Sequence, residues 1–156
     1  MHKGDESGLS KQEFNVAVRW AINVGNIFQI LGTEKTLEVA KAQGERNGAA
    51  FVDGLKQMGG FTPENMAKLI DQAYLPMGLI NIENKVTPTS LVMTNGKCPV
   101  YEGFKMAGLD DETISKQCEI REAAVHAKIA EAFGVTVNFT RNKPDGPCVT
   151  VFMLEK

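Results

Sequence analysis

The sequence predicts an α+β fold, an antiparallel sheet of about four strands packed against about five helices. Two observations carry that prediction. Apolar residues recur at spacings of three and four through the first half of the chain and again beyond residue 110, which is the helical period. Two pairs of short segments, one in the middle and one at the C-terminus, are separated by turn residues and read as hairpins. No internal repeat, low-complexity tract or linker interrupts the pattern, so residues 10–156 form a single domain behind a polar, disordered segment 1–9.

Ser10 followed by Glu13 is a capping-box signature that opens the first helix at about Lys11. Phe14, Val18, Ala21, Val24, Phe28 and Leu31 form its apolar stripe, and Val16, Trp20, Ile27 and Ile30 widen it. A helix so broadly apolar is expected to be covered on more than one side, a second subunit included. Gly32 and Thr33 end it, and Thr33 caps a second helix that runs to about Met58. Within that helix Gly44 and Gly48 lie one turn apart on one face, so another backbone can approach closely there. Gly59-Gly60 stops it. Thr62-Pro63-Glu64 supplies an N-cap and a proline at the first position of a third helix, reaching about Tyr74 with Met66, Leu69, Ile70 and Ala73 inward.

Met77–Glu83 and Thr89–Thr94 read as the first pair of strands, joined through Asn84-Lys85-Val86-Thr87-Pro88, with Asn95-Gly96 as the next turn. Pro99 opens a short helix through Ala107, closed by Gly108. Asp110-Asp111-Glu112 begins a longer helix to Phe133, its acids placed where the helix dipole favours them, and Gly134 ends it. Val135–Thr140 and Cys148–Leu154 alternate as the closing hairpin. On the last strand Cys148, Thr150, Phe152 and Leu154 share one face.

Composition removes several functions. With 43% apolar and 23% charged residues the chain has the make-up of a soluble globular protein. A formal charge of −2 with singly scattered Lys and Arg argues against a nucleic-acid partner. The first apolar helix is interrupted by Asn15, Arg19, Asn23, Asn26 and Gln29, so no membrane partner is expected. Residues 1–8 lack the apolar core of a signal peptide, so a cytoplasmic chain is expected. Cys98, Cys118 and Cys148 are three in number, which excludes a complete disulfide framework, and none has C-x-x-C spacing. They suit a reducing compartment.

Five runs carry a resemblance: Ala42 to Gly48, Gly78 to Ile82, Cys98-Pro99 through Gly103, Gly108-Leu109, and Asp145-Gly146-Pro147-Cys148 through Phe152. In these the chain resembles the L-2-amino-thiazoline-4-carboxylic acid hydrolase-like family. It is also similar to the related 4-vinyl reductase (hydrocarbon-binding) domain, whose fold is TRAPP-like. The first group matches better because it accounts for all three cysteines. The second implies a small-molecule pocket between sheet and helices, commonly in a homodimer. Many such domains hold zinc through a Glu-x-x-Cys pair and a Cys about eight residues later. Cys148 stands at that last position here, but Asn138 and Arg141 occupy the upstream ones. A guanidinium cannot ligate zinc, so zinc is disfavoured and no metal ligand is assigned.

The candidate site residues follow. Cys98 lies before the helix that Pro99 opens, where amide groups and the positive dipole end favour thiolate, so it is a candidate nucleophile or else a small buried thiol. Cys118 is the second candidate, on a helical face it shares with Glu122, Val125 and His126. His126 or Glu119 would assist protons, the alternative being a solvated face with Cys118 packed inward. Arg121 and Arg141 suit a substrate carboxylate by their bidentate geometry, or serve as surface cations. Tyr101, with Tyr74, Met77, Phe104 and Met106, would line an apolar pocket or belong to the core. Three functions are expected on this basis. The first is a hydrolase opening a small cyclic, amidine-like C–N bond, the reaction the resemblance implies. The second is a non-catalytic binder or sensor of an apolar or aromatic ligand. The third is an assembly subunit that uses the first helix as its interface.

Overall fold

The computed structural model describes residues 8–74, 82–96, 98–141 and 147–155. Its elements are helices α1 (Gly8–Gln57), α2 (Pro63–Tyr74), α3 (Pro99–Met106) and α4 (Asp111–Phe133), and strands β1 (Ile82–Val86), β2 (Ser90–Asn95), β3 (Val135–Arg141) and β4 (Cys148–Leu154). The four strands form one antiparallel sheet in the order β1-β2-β4-β3, so the fold is α+β.

Four helices stand where about five are expected, because the first two join. α1 is a single 50-residue element interrupted only at Gly32, whose φ of 77° and ψ of 168° are not helical. Those angles are open to glycine and strained for any other residue. Thr36, itself buried, donates its hydroxyl to the Phe28 carbonyl across the break at 3.4 Å. The break thus divides α1 into two arms with different partners. α1 also begins at Gly8, so Ser10 lies inside the helix and not at its cap.

Both arms pack through glycine. A Cβ on Gly44 would press into the Arg121 carbonyl and stand 2.8 Å from Ala124 Cβ, and one on Gly48 would meet Lys128 Cβ at 2.8 Å. The second arm therefore lies backbone to backbone against α4. On the first arm a Cβ at Gly25 would meet Ala107 at 2.6 Å, and one at Gly103 of α3 would strike Ala21 and the Val18 carbonyl.

Two cores result. One joins the second arm, α2, α4 and the inner face of the sheet through Leu55, Met66, Ile70, Leu91, Ile129 and Phe152. The other joins the first arm, α3 and the start of α4 through Ala21, Phe28, Phe104, Leu109 and Ile114. Side chains buried this completely contribute roughly 1.5–3 kcal/mol each relative to exposure. The widened stripe of the first arm is exposed among the described residues: Val16, Trp20, Ile27 and Ile30 are all at the surface, Ile30 at 85%.

The expected cap at Ser10 does not hold, while the start of α2 and both ends of α4 fall where the sequence places them. Thr62 Oγ1 accepts the Asn65 amide at 3.0 Å ahead of Pro63, and Asp110 Oδ1 accepts the Thr113 amide at 2.7 Å. Gly134 closes α4 in the left-handed conformation. The first hairpin differs. Asn84, Lys85 and Val86, expected in the connection, belong to β1 and pair with Met93, Val92 and Leu91. Thr87 makes the turn instead, its amide and hydroxyl both bonding to the Ser90 carbonyl. Of the expected first strand, Met77–Asn81 lie outside the described residues.

Candidate functional site

β4 pairs with both β2 and β3, and its register sets one end of the site. Cys148 stands between Asn95 and Arg141, and Thr150 between Met93 and Phe139. Alternation turns Cys148, Thr150 and Phe152 to the helices, with Thr150 and Phe152 each only 1% exposed. Above this corner, where the two cores meet, is a cavity of about 360 Å³. Met93, Phe139 and Thr150 form its floor, Leu69 and Ala73 of α2 one side, and Cys118, Glu122 and Val125 of α4 another. Trp20 of the first arm and Gln43, Asn47 and Phe51 of the second complete the wall.

All three cysteines line this one cavity. Cys148 arrives at the start of β4, Cys118 in mid-α4, and Cys98 from the turn between β2 and α3. Each is a free thiol of intermediate exposure. Cys98 occupies the N-cap of α3, but its side chain makes no capping hydrogen bond, and Pro99 fills the first helical position. Its carbonyl accepts the Glu102 amide at 3.3 Å. Burial pushes the Cys118 thiol up, with the Arg121 guanidinium partly opposing it. Burial likewise pushes Cys148 up to about 11, and the two other cysteines add to the rise. Both are therefore neutral thiols near pH 7.

One charged pair reaches the wall. Arg121 donates from Nη2 and Nε to Glu122 Oε1 at 3.3 and 3.4 Å, and Nη2 stands 3.7 Å from Cys118 Sγ. The side chains of the pair are only 17% and 15% exposed, which makes charge pairing a condition of their burial. His126 is behind this pair. Its Nε2 is 3.8 Å from Glu122 Oε2, and its ring packs on Phe139 and edge-on to Phe152. Burial pushes the His126 pKa below 6.5, and the Glu122 carboxylate opposes that only in part.

The structure thus brings together Cys98, Cys118 and Arg121 of the expected site residues. His126 does not itself line the cavity but touches two residues that do, Glu122 and Phe139, and Glu119 is exposed on α4 outside the cavity wall. Glu119 directly follows Cys118, and adjacent positions on a helix point about 100° apart, so the thiol faces the cavity and this carboxylate does not. Tyr101 is also outside the wall. Its hydroxyl donates to Asp111 Oδ1 at 3.0 Å, and its ring lies under the Arg141 guanidinium, 6.0 Å from the ring centroid. Phe104 is core at 2% exposure and Met106 is 71% exposed, so neither lines the cavity. Met77 and the Asp145-Gly146 turn lie outside the described residues, as does the Tyr74 side chain.

Trp20, Asn47, Asn95, Met93 and Thr150 line the cavity without having been singled out as site residues. Alternation on β2 held a signal for Met93 and Asn95, which share a face. Asn95 Oδ1 is buried with no hydrogen-bond partner among the described residues. Among the described residues no three His, Cys, Asp or Glu side chains are grouped to hold a metal ion, so the thiols present do not fit the zinc site that the resemblance implies. No described helix is long and apolar enough to cross a membrane. Comparison with protein-family models, with curated proteins and with solved structures finds no match.

Proposed function

We propose that this chain binds a small, largely apolar or aromatic molecule in the cavity between α1, α4 and the sheet. The observation that carries the reading is a cavity of about 360 Å³ with aromatic and aliphatic walls and a few polar groups at fixed places. That volume and lining are those of small-molecule sites in general. Arg121, held by Glu122, offers a cation to an anionic or carbonyl group on the ligand. The exposed stripe of Val16, Trp20, Ile27 and Ile30 supports a homodimer, since contiguous apolar surface on a helix favours a partner. Free thiols suit the cytoplasm.

Trp20 is the sole tryptophan and lies on the wall, so its fluorescence reports occupancy. Titration with 4-phenylbutan-2-one should quench it saturably. Ala73→Phe, which adds a ring at the wall, should abolish the effect while leaving the circular dichroism spectrum unchanged. Equal quenching in that variant, or none in either protein, would remove the reading.

A second reading, hydrolysis of a small cyclic C–N bond, is favoured by Cys98 and Arg121 sharing the wall. It has against it that Cys118 and Cys148 are held as thiols and that His126 is not among the residues lining the cavity. Proton NMR of 2-aminothiazoline-4-carboxylate incubated with the protein tests it. Loss of the ring signals that Cys98→Ser abolishes would favour it over simple binding.

A further inference from the structure

We propose that the cavity captures soft apolar electrophiles covalently, an aryl-substituted α,β-unsaturated ketone being the class it fits, with Cys98 as the attacking residue. The inference rests on the reading of the cavity as a ligand site and deepens it by naming the ligand's reactive group. Every cysteine of the chain lies on this one wall, although the three come from a turn, a helix and a strand far apart in sequence. No pair is joined in a disulfide and no described cluster suits a metal, so neither structural use accounts for the convergence. Thiols are the softest nucleophiles a protein has, and an apolar cavity concentrates apolar molecules beside them.

The three are not equivalent. Cys118 is 3.7 Å from the Arg121 guanidinium within a buried charged pair, and Cys148 is in the sheet register between Asn95 and Arg141. Burial holds both as neutral thiols. Cys98 is at the wall on a turn, its side chain unused in capping α3. In the step, the Cys98 thiol gives up its proton to solvent and its sulfur forms a bond to the β-carbon of the enone. The carbon–carbon π electrons move toward the carbonyl oxygen to give an enolate, beside which Arg121 offers positive charge. Solvent then returns one proton to the α-carbon. The sum is addition of S–H across a double bond, with no oxidant, reductant or leaving group.

The test uses the full chain and two ketones that differ only in that double bond. The enone, 4-phenylbut-3-en-2-one, should add once per chain, and peptide mapping of the native protein should place the adduct on Cys98. The rate should exceed that of glutathione at equal pH by about tenfold or more, since binding precedes reaction. Acrylamide, small and polar, should show no such advantage. Cys98→Ser should remove the adduct, and mapping of the native protein locates it even if that variant fails to fold. An enone rate no greater than that of glutathione, or an adduct on Cys118, Cys148 or an amine, overturns the assignment. The saturated 4-phenylbutan-2-one separates the two ideas: quenching of Trp20 without enone addition sinks covalent capture and leaves binding standing, and absence of both sinks the ligand site itself.

Discussion

Gly44→Ala tests the close approach of α1 and α4 on which the cavity depends. In an exposed helix this change is favourable by about 1 kcal/mol, because alanine loses less backbone freedom. Here the added Cβ would press into the Arg121 carbonyl and stand 2.8 Å from Ala124 Cβ. Carbon atoms rest at about 3.5–4.0 Å, so at least about 0.7 Å of separation is missing. A carbonyl within α4 cannot swing aside as a side-chain tip can. The two helices must part, and overpacking of that kind costs about 1–3 kcal/mol. With backbone as the obstacle the upper end applies, leaving a net loss of about 2 kcal/mol after the gain in propensity.

Gly54→Ala is the internal control. It lies on the same helix, but its nearest neighbours are the Leu69 methyl carbons at 3.1 Å, which can turn away. Its expected effect runs from neutral to about 1 kcal/mol of stabilisation. Urea unfolding followed by circular dichroism separates the two. With a slope of about 2 kcal/mol per molar, Gly44→Ala should lower the midpoint by about 1 M, while Gly54→Ala leaves it or raises it. A Gly44→Ala midpoint equal to or above that of the parent would refute the backbone-to-backbone packing.

Three further outcomes follow from the same structure. Stability should fall as pH drops below about 6.5, because the unfolded chain takes up a proton on His126 before the folded one does. Urea midpoints measured downward from neutral pH should show this, and His126→Leu should flatten that part of the profile. At the alkaline end Cys148 loses its proton at 9.0 when unfolded and about 11 when folded, so stability should decline across that interval and less so in Cys148→Ala. Gly32→Ala meets no atom within 4 Å, so its cost is conformational alone, about 1–3 kcal/mol for φ 77° and ψ 168°. Thermal unfolding at an unchanged midpoint would show that the arms do not need that bend.

The helices were legible because their signals are local. Thr62-Pro63 and Gly134 act on backbone groups within one turn and cap where the spacing puts them, whereas Asp110, read as an acid of the first turn, is in fact the N-cap of α4. Gly44 and Gly48 were legible as a surface for close approach, though not the identity of α4 as the helix that fills it. The first hairpin was misjudged in its bounds for the opposite reason. Asn84 and Lys85 have poor strand propensity, and their place in β1 is set by pairing with Met93 and Val92, with Asn84 also donating to Asp71 Oδ1 at 3.1 Å. Those partners are not neighbours in sequence.

The cavity follows the same logic one level up. Cys98, Cys118 and Cys148 look unrelated in the sequence because each sits in a different local pattern. What joins them is tertiary: the antiparallel register sets Cys148 beside Asn95, the last residue of β2, Cys98 stands at the N-cap of α3, and α4 brings Cys118 to the same wall. Arg121 illustrates how one residue ties structure to site. Its carbonyl meets the second arm at Gly44, and its guanidinium holds Glu122 at the wall. Trp20 and Gln43 meet across the cavity only because α1 breaks at Gly32 between them. A residue without a side chain, itself not on the cavity wall, is thus what lets both arms line one site. Its replacement should disturb binding together with stability.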